Sequence, residues 1–120
     1  MAPEQLIGCF VVEVGLRQAW PFLGFCDNRS TPPQESRLYL DTDWCVEAPE
    51  LVRGTVDDEA AWLTAALALN GTTIAEAQVT DDGTLLLATT DQRSLVASGQ
   101  PQSAPVGEPW WLSDVPSRWR

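Results

Sequence analysis

The 120-residue chain contains no histidine and no lysine. Histidine takes part in most acid–base mechanisms, so its absence excludes Ser-His-Asp and Cys-His catalysis. Without lysine the chain cannot form a Schiff base or supply the lysine of a P-loop. Its eight glycines are scattered rather than grouped in a phosphate-binding motif. The missing residue types therefore argue against most enzyme classes.

Cysteine is scarce as well. Cys9, Cys26 and Cys45 are odd in number and show no C-x-x-C spacing, which argues against a disulfide framework and favours a reducing compartment. A structural zinc site needs about four ligands, and three scattered thiols without histidine do not supply them. We therefore expect neither a metal nor another cofactor.

Positive charge is sparse, since the chain has seven arginines against seventeen acidic residues and a net charge of −10. A field of one sign repels nucleic acid and anionic membranes. It suits a basic protein partner, or it serves solubility alone. The first residues resemble neither a signal peptide nor a membrane span, so we expect a cytoplasmic protein that binds neither nucleic acid nor membrane.

Apolar and polar residues alternate in the first part of the chain, which predicts antiparallel strands over residues 6–16, 22–27 and 37–47. The third is long enough that we expect a bulge or bend in it. A turn covers residues 17–21, and residues 28–36 form a polar loop. The first strand is predicted to bury one face, made of Phe10, Val12, Val14 and Leu16.

An amphipathic helix is predicted over residues 55–70. Apolar residues recur at helical spacing in Val56, Ala60, Leu63 and Leu67, and Asn70-Gly71 is a typical end. The apolar stripe is widened by Trp62, Ala66 and Leu69.

A second set of strands follows over residues 72–80, 84–90 and 94–98, with a hairpin turn at Asp82-Gly83. The tail, residues 99–120, contains four prolines and three tryptophans and is predicted to be irregular.

The two sets of strands share a pattern. When Gly8 is aligned with Gly71, Leu6 meets Leu69, Val11 meets Ile74 and Glu13 meets Glu76. This indicates an internal repeat, although two meanders also resemble each other by pattern alone. The predicted fold is one α+β domain over 1–120: a three-stranded antiparallel meander (6–47), a linking helix (55–70), a second meander (72–98) and the tail. The meanders either pack face to face or form one six-stranded sheet covered by the helix.

Carboxylates are the remaining candidates for chemistry. Asp41 and Asp43 lie two residues apart on one strand face, and Glu13 and Glu76 occupy repeated positions. A glycosidase pair or a Mg²⁺ site could be drawn from them, but solvated acids on the outside of a sheet are more typical.

The tryptophans are the other candidates. Trp44 and Trp62 fall on predicted core faces and Trp20 at a turn. In the tail, Trp110, Trp111 and Trp119 either close the open end of the core or anchor a partner.

The order meander, helix, meander carries the strand starts L-x-G-x-x-V and N-G-x-x-I-x-E-A and a late W-x-L. This arrangement resembles a set of small bacterial domains, some of them similar to immunity proteins of polymorphic toxin systems. The resemblance covers about residues 5–112 and implies a cytosolic acidic protein that occludes a toxin.

We therefore expect a non-catalytic protein that binds a basic partner such as a toxin or nuclease, with its oligomeric state left open. Alternatives are a small-ligand or scaffold module with a cleft between the meanders, and a carboxylate-based hydrolase with two acids about 5–10 Å apart. The candidate partner-binding residues are Tyr39, Asp41, Asp43, Glu47, Trp110 and Trp111.

Overall fold

The computed structural model describes residues 2–18, 20–29, 31–49, 59–101 and 108–115. These residues form two four-stranded antiparallel sheets and one short α-helix, which is consistent with the predicted α+β class. No helix in this part of the chain is both long and apolar enough to span a membrane. In chain order the elements are β1 (Phe10–Arg17), β2 (Trp20–Asp27), β3 (Gln34–Leu40), β4 (Thr42–Glu47), α1 (Glu59–Ala66), β5 (Ile74–Val79), β6 (Leu85–Thr89), β7 (Ser94–Pro101) and β8 (Trp110–Val115), with short 3₁₀ turns at Pro3–Leu6 and Leu67–Leu69.

The strand order is β1-β2-β3-β8 in the first sheet and β4-β7-β6-β5 in the second. Each sheet therefore contains three strands that are consecutive in the chain and a fourth strand from the other half. The predicted single six-stranded sheet is therefore wrong. The two meanders lie in separate sheets, as in the other predicted packing, but each meander has gained a fourth strand.

The single strand predicted over residues 37–47 is wrong, because the chain changes sheets at Asp41. The Asp41 N–H donates to the Pro109 carbonyl at 2.7 Å, beside β8. One residue later, the Thr42 hydroxyl donates to the Gln100 carbonyl at 2.5 Å, in β7. Consecutive residues are thus fixed to different strands, and the expected bend is a crossing between sheets.

The prediction of an irregular tail is also wrong for residues 110–115. They form β8, in which Leu112 lies opposite Leu38 of β3. Pro109 and Pro116 flank this segment without interrupting it, so every residue between them has an N–H for the ladder. Trp119 lies outside the described residues.

The helical segment buries the side of the predicted stripe that carries Trp62, Ala66 and Leu69, and not the side that carries Leu63 and Leu67. Trp62 and Ala66 are fully buried, whereas Leu63 and Leu67 are 36% and 61% exposed. Leu and Ala residues occur on every side of this helix, so helical spacing alone does not predict which face is buried. Trp62 has the largest surface to bury, and its indole N–H donates to the Gly15 carbonyl at 3.1 Å. Residues 55–58, including Val56, lie outside the described residues.

A bulge between Val11 and Glu13 corrects the predicted face of β1. Val11 is buried, while Phe10 and Val12 are only half-buried. Beyond the bulge, Val14 and Leu16 pack against the core as predicted. An extra residue reverses the alternation of side chains, so a pattern with a period of two fails across it.

The inner sides of both sheets, together with the helix, contribute to one hydrophobic cluster. The sheets also meet where β1 and β5 begin. The Gly8 N–H donates to the Ile74 carbonyl at 2.8 Å, and the Gly71 N–H donates to the Val11 carbonyl at 2.7 Å. Both glycines have positive φ, +89° and +83°, which residues with a Cβ rarely adopt.

Candidate functional site

The outer face of the first sheet carries a row of aromatic side chains. Strand register places Gly15, Phe22, Tyr39 and Trp111 side by side across the four strands. The preceding row across the sheet belongs to the hydrophobic core, so this row projects to the opposite side. Trp20 lies against Trp111 from β2. We call Trp20, Phe22, Tyr39 and Trp111 the aromatic row.

The rings of the aromatic row are in mutual contact. Trp20 and Trp111 meet edge to face, with centroids 5.2 Å apart and an interplanar angle of 87°. Tyr39 is stacked on Trp111 at 5.5 Å and 19°, and Phe22 lies 5.7 Å from Tyr39. Gly15 makes room for this layer, because a Cβ there would lie 2.7 Å from Phe22 Cζ. Such contacts add to the free energy of burial and hold the rings in fixed orientations.

The four rings differ in accessibility. Phe22 and Tyr39 are only 6% and 7% exposed, although they lie on the side of the sheet away from the core. Trp20 and Trp111 are half-buried. The row therefore presents two partly accessible indole rings on a buried aromatic base.

Arginine side chains border this base. The Arg37 guanidinium lies 4.3 Å from the Phe22 ring centroid, and its Nε donates to Glu13 Oε1 at 2.9 Å. Burial of Tyr39 opposes its charged form, but hydrogen bonds from Arg37 and Arg17 outweigh burial and lower the pKa of Tyr39. The arginines thus fix the ring that supports Trp111.

The predicted partner-binding residues do not all come together. Tyr39 and Trp111 are neighbours in the aromatic row, and Asp41 follows at the end of β3. Asp43 and Glu47 are exposed on β4, in the other sheet. Trp110 packs against the core, where its indole N–H donates to the Gly83 carbonyl at 2.9 Å. A role in binding stays a prediction for each of them.

Trp20 and Phe22 were not predicted as site residues. Pro21 was expected to end a turn, but it lies in β2 opposite Leu16. Proline is tolerated near the start of a strand, where few ladder bonds depend on it. The alternation of Trp20, Phe22 and Gly24 was the available signal for a shared strand face.

The carboxylates give less support to chemistry. Glu13 is paired with Arg37, and Asp41 and Asp43 straddle the crossing between the sheets. Among the described residues, no group of three or more His, Cys, Asp or Glu could hold a metal ion.

One shallow depression of about 480 Å³ lies where α1 leads into β5. Its lining is mostly polar and comes from the second half of the chain, unlike the apolar cleft between meanders that ligand binding would favour. It is lined by Leu67, Ala68, Asn70, Gly71, Thr72, Thr73, Thr90, Asp91 and Arg93.

The aromatic row is thus the most developed surface feature of the described residues. Grouped Trp and Tyr side chains of this kind are common at protein interfaces. Neither protein-family models, nor curated proteins, nor solved structures provide a match for this chain.

Proposed function

We propose that this protein is a non-catalytic binding domain for a basic protein partner and that the aromatic row is its contact surface. The observation that carries the proposal is the pair of partly accessible indole rings, Trp20 and Trp111, held by Tyr39 and Phe22. Trp, Tyr and Arg contribute most of the binding energy at protein interfaces, and all three types occur here. Rigid rings also lose little conformational entropy on binding.

The basic character of the partner is supported by the net charge of −10. A field of this size accelerates encounter with a cationic protein and repels anionic ones. The contact surface itself does not share the negative excess, because Glu13 pairs with Arg37 and Arg17 reaches Tyr39. Long-range attraction and short-range contact would then be supplied by different parts of the molecule.

The most concrete form of this proposal is an immunity-like inhibitor that occludes a basic toxin or nuclease. The sequence resemblance supports it, and occlusion needs no catalytic residue from the inhibitor. Co-expression tests this form directly, since the protein should restore growth to cells that produce the cognate toxin.

The general proposal is tested by capture from extracts of the source organism, with Trp111→Ala and Val96→Ala as a matched pair. Val96 lies on the outer face of the second sheet, where strand register places it between Leu86 and Cys45. We expect the wild type to retain a basic protein. The affinity for that protein should fall about 30-fold or more with Trp111→Ala and stay unchanged with Val96→Ala. Its affinity should fall as salt rises from about 0.05 to 0.3 M.

Retention of the same protein by both variants, or an affinity indifferent to salt, would contradict the proposal. Circular dichroism of each variant shows whether the fold is retained, so a loss of binding can be assigned to the surface.

We also propose that the two meanders are copies of one plan, linked by α1. Reciprocal hydrogen bonds support this: Val11 N donates to the Thr72 carbonyl at 2.9 Å, and Ile74 N to the Cys9 carbonyl at 2.8 Å. These four residues pair off in the alignment of Gly8 with Gly71. A bulge also follows both Val11 and Ile74.

A salt bridge that occurs in both halves supports the same proposal. Arg29 pairs with Asp27 at 2.9 Å and donates to the Ile7 carbonyl at 3.1 Å. Arg93 pairs with Asp91 at 2.8 Å and donates to the Ala68 carbonyl at 3.1 Å. Each arginine ties the end of a hairpin to the segment before the first strand of its own half.

A further inference from the structure

We infer that the aromatic row is a binding surface specialised in one half of a duplicated frame, and that it receives arginine side chains of the basic partner. This inference rests on the proposed function and names the chemistry of its contact. It is carried by comparison of the two sheets at matching positions of their ladders.

The inner rows of the two sheets are alike. In the first sheet, Leu23, Leu38 and Leu112 are neighbours across three strands and pack on the core. In the second, the matching neighbours are Leu87, Leu95 and Val46. Both halves therefore keep medium-sized aliphatic side chains wherever the frame needs a core.

The outer rows differ. Phe22, Tyr39 and Trp111 of the first sheet are matched by Leu86, Val96 and Cys45 of the second. Those three are half-buried or exposed, and the second sheet forms a complete ladder with them. An aromatic layer is therefore not a requirement of this frame, and the first sheet carries it for another reason.

The position of the tryptophans favours a cationic occupant. Trp111 is on β8, an edge strand, and Arg17, which comes from β1 at the opposite edge, is engaged with the Tyr39 hydroxyl. Arg37 is engaged with Glu13, so the charge of its guanidinium is largely neutralised. The face of Phe22 already receives that guanidinium at 4.3 Å, and indole is a better cation acceptor than a phenyl ring. The net charge of −10 attracts a basic protein, and an arginine of that protein can also stack on the indole rings.

The experiment exchanges the outer row of the first sheet for that of the second. A triple variant, Phe22→Leu, Tyr39→Val and Trp111→Ser, is compared with the wild type, with serine standing for the thiol of Cys45. The net charge is unchanged, so non-specific attraction is equal in both proteins. The probe is a nona-arginine peptide titrated calorimetrically at about 0.1 M salt, and we expect its affinity to fall at least about fivefold.

Two controls accompany the exchange. A double variant, Leu86→Ala and Val96→Ala, removes side chains from the opposite outer face and should leave the affinity for the peptide unchanged. Nona-lysine peptide should discriminate less than nona-arginine between wild type and triple variant, because a guanidinium stacks on indole and an ammonium does not. The triple variant should keep the circular dichroism spectrum and a cooperative thermal transition.

Equal affinity of the wild type and the triple variant for nona-arginine would overturn the inference. So would loss of the folded state in both the triple variant and a milder Trp20→Thr, Trp111→Ser variant, because the row would then belong to the frame. The proposed function fails separately, when a partner captured from the source organism is indifferent to Trp111→Ala. A partner that requires Trp111 while nona-arginine does not would leave the function standing and remove only the arginine chemistry.

Discussion

At the scale of single residues, two glycines illustrate two reasons why a side chain is unfavourable: a positive φ and a lack of room for a Cβ. Gly8 and Gly71 both have positive φ, and each donates its N–H across the junction of the two sheets. A Cβ at Gly8 would also collide with the Arg29 guanidinium, whereas no atom lies within 4 Å of a Cβ at Gly71. The two positions therefore separate backbone strain from steric conflict.

We expect Gly71→Ala to lower the free energy of unfolding by about 1–2 kcal/mol, because alanine resists positive φ. Gly8→Ala should lower it further, because Arg29 must also move away from Asp27. Urea denaturation measures both. Gly71→Asn is the matched control and should cost less than Gly71→Ala, since asparagine tolerates this conformation. An equal effect of alanine at the two positions would show that Arg29 does not constrain Gly8.

Trp62 is the residue on which the helix depends. Its ring is fully buried, and its N–H donates to the Gly15 carbonyl of β1. Trp62→Phe should lower the free energy of unfolding by about 2–4 kcal/mol, because it removes that donor and leaves space behind the smaller ring. Leu67→Ala, on an exposed part of the same segment, should cost less than about 1 kcal/mol in the same denaturation experiment. Comparable losses for both variants would contradict the observed face of the helix.

At the scale of elements, strand alternation could be read from the sequence wherever the ladder is uninterrupted. Leu38 and Leu40, which lie two residues apart on one side of a predicted strand, are both buried, and the predicted hairpin at Asp82-Gly83 joins β5 to β6. The prediction of the buried face failed at the bulge after Val11. An extra residue reverses the alternation of side chains there, and no residue type in the sequence indicates the bulge. The prediction failed also at Asp41, since a change of sheets depends on partners about sixty residues away and not on local propensity.

The candidate site could be predicted only in part for the same reason. Tyr39 and Trp111 were singled out separately, one as a strand residue and one as a tail residue, and nothing local relates them. They become neighbours only because β8 adds to β3. Pro21 indicates a turn that separates Trp20 from the strand predicted to begin at Phe22, so local pattern does not place these two side chains on one strand. A surface made by strands from both halves cannot be assembled from local pattern.

The strand β8 makes a prediction at this scale. The amides of β8 that bond to β3 should exchange with deuterium slowly, because the ladder protects them, whereas the alternate amides on the open edge should exchange faster than those of the central strand β2. Mass spectrometry of proteolytic fragments measures this. Exchange within seconds throughout this segment would mean that the tail is irregular after all. Leu112→Asp should speed exchange in both β8 and β3, since a charge there would face the core.

At the scale of the whole molecule, acid acts on stability in two opposing ways. Hydrogen bonds from Arg29 lower the pKa of Asp27, and the Thr80 and Thr89 hydroxyls lower those of Asp82 and Asp91. Each folded pKa is below the unfolded one, so the stabilisation is present at neutral pH and is lost as pH falls below about 4. Protonation of other carboxylates at the same time relieves the self-repulsion of a chain of charge −10.

A single substitution separates these effects. Asp91→Asn should be less stable than wild type at pH 7, and the difference should shrink as pH falls from about 4 towards 2. Asp114→Asn changes the net charge equally, but Asp114 is an exposed residue of β8 with no arginine pair in the described residues, so its effect should be smaller at pH 7. Urea midpoints at several pH values measure both. A difference for Asp91→Asn that grows on acidification would reverse the sign expected for a lowered pKa.

The exchange of fourth strands also governs when each sheet can be completed during synthesis. During synthesis β3 emerges long before β8, and β4 waits in the same way for β7. The second sheet has all four of its strands once β7 has been made, whereas the edge of β3 stays open to solvent and to neighbouring chains until residues 110–115 follow. A nascent chain that stalls between β7 and β8 therefore holds every strand of one sheet and exposes an open edge on the other.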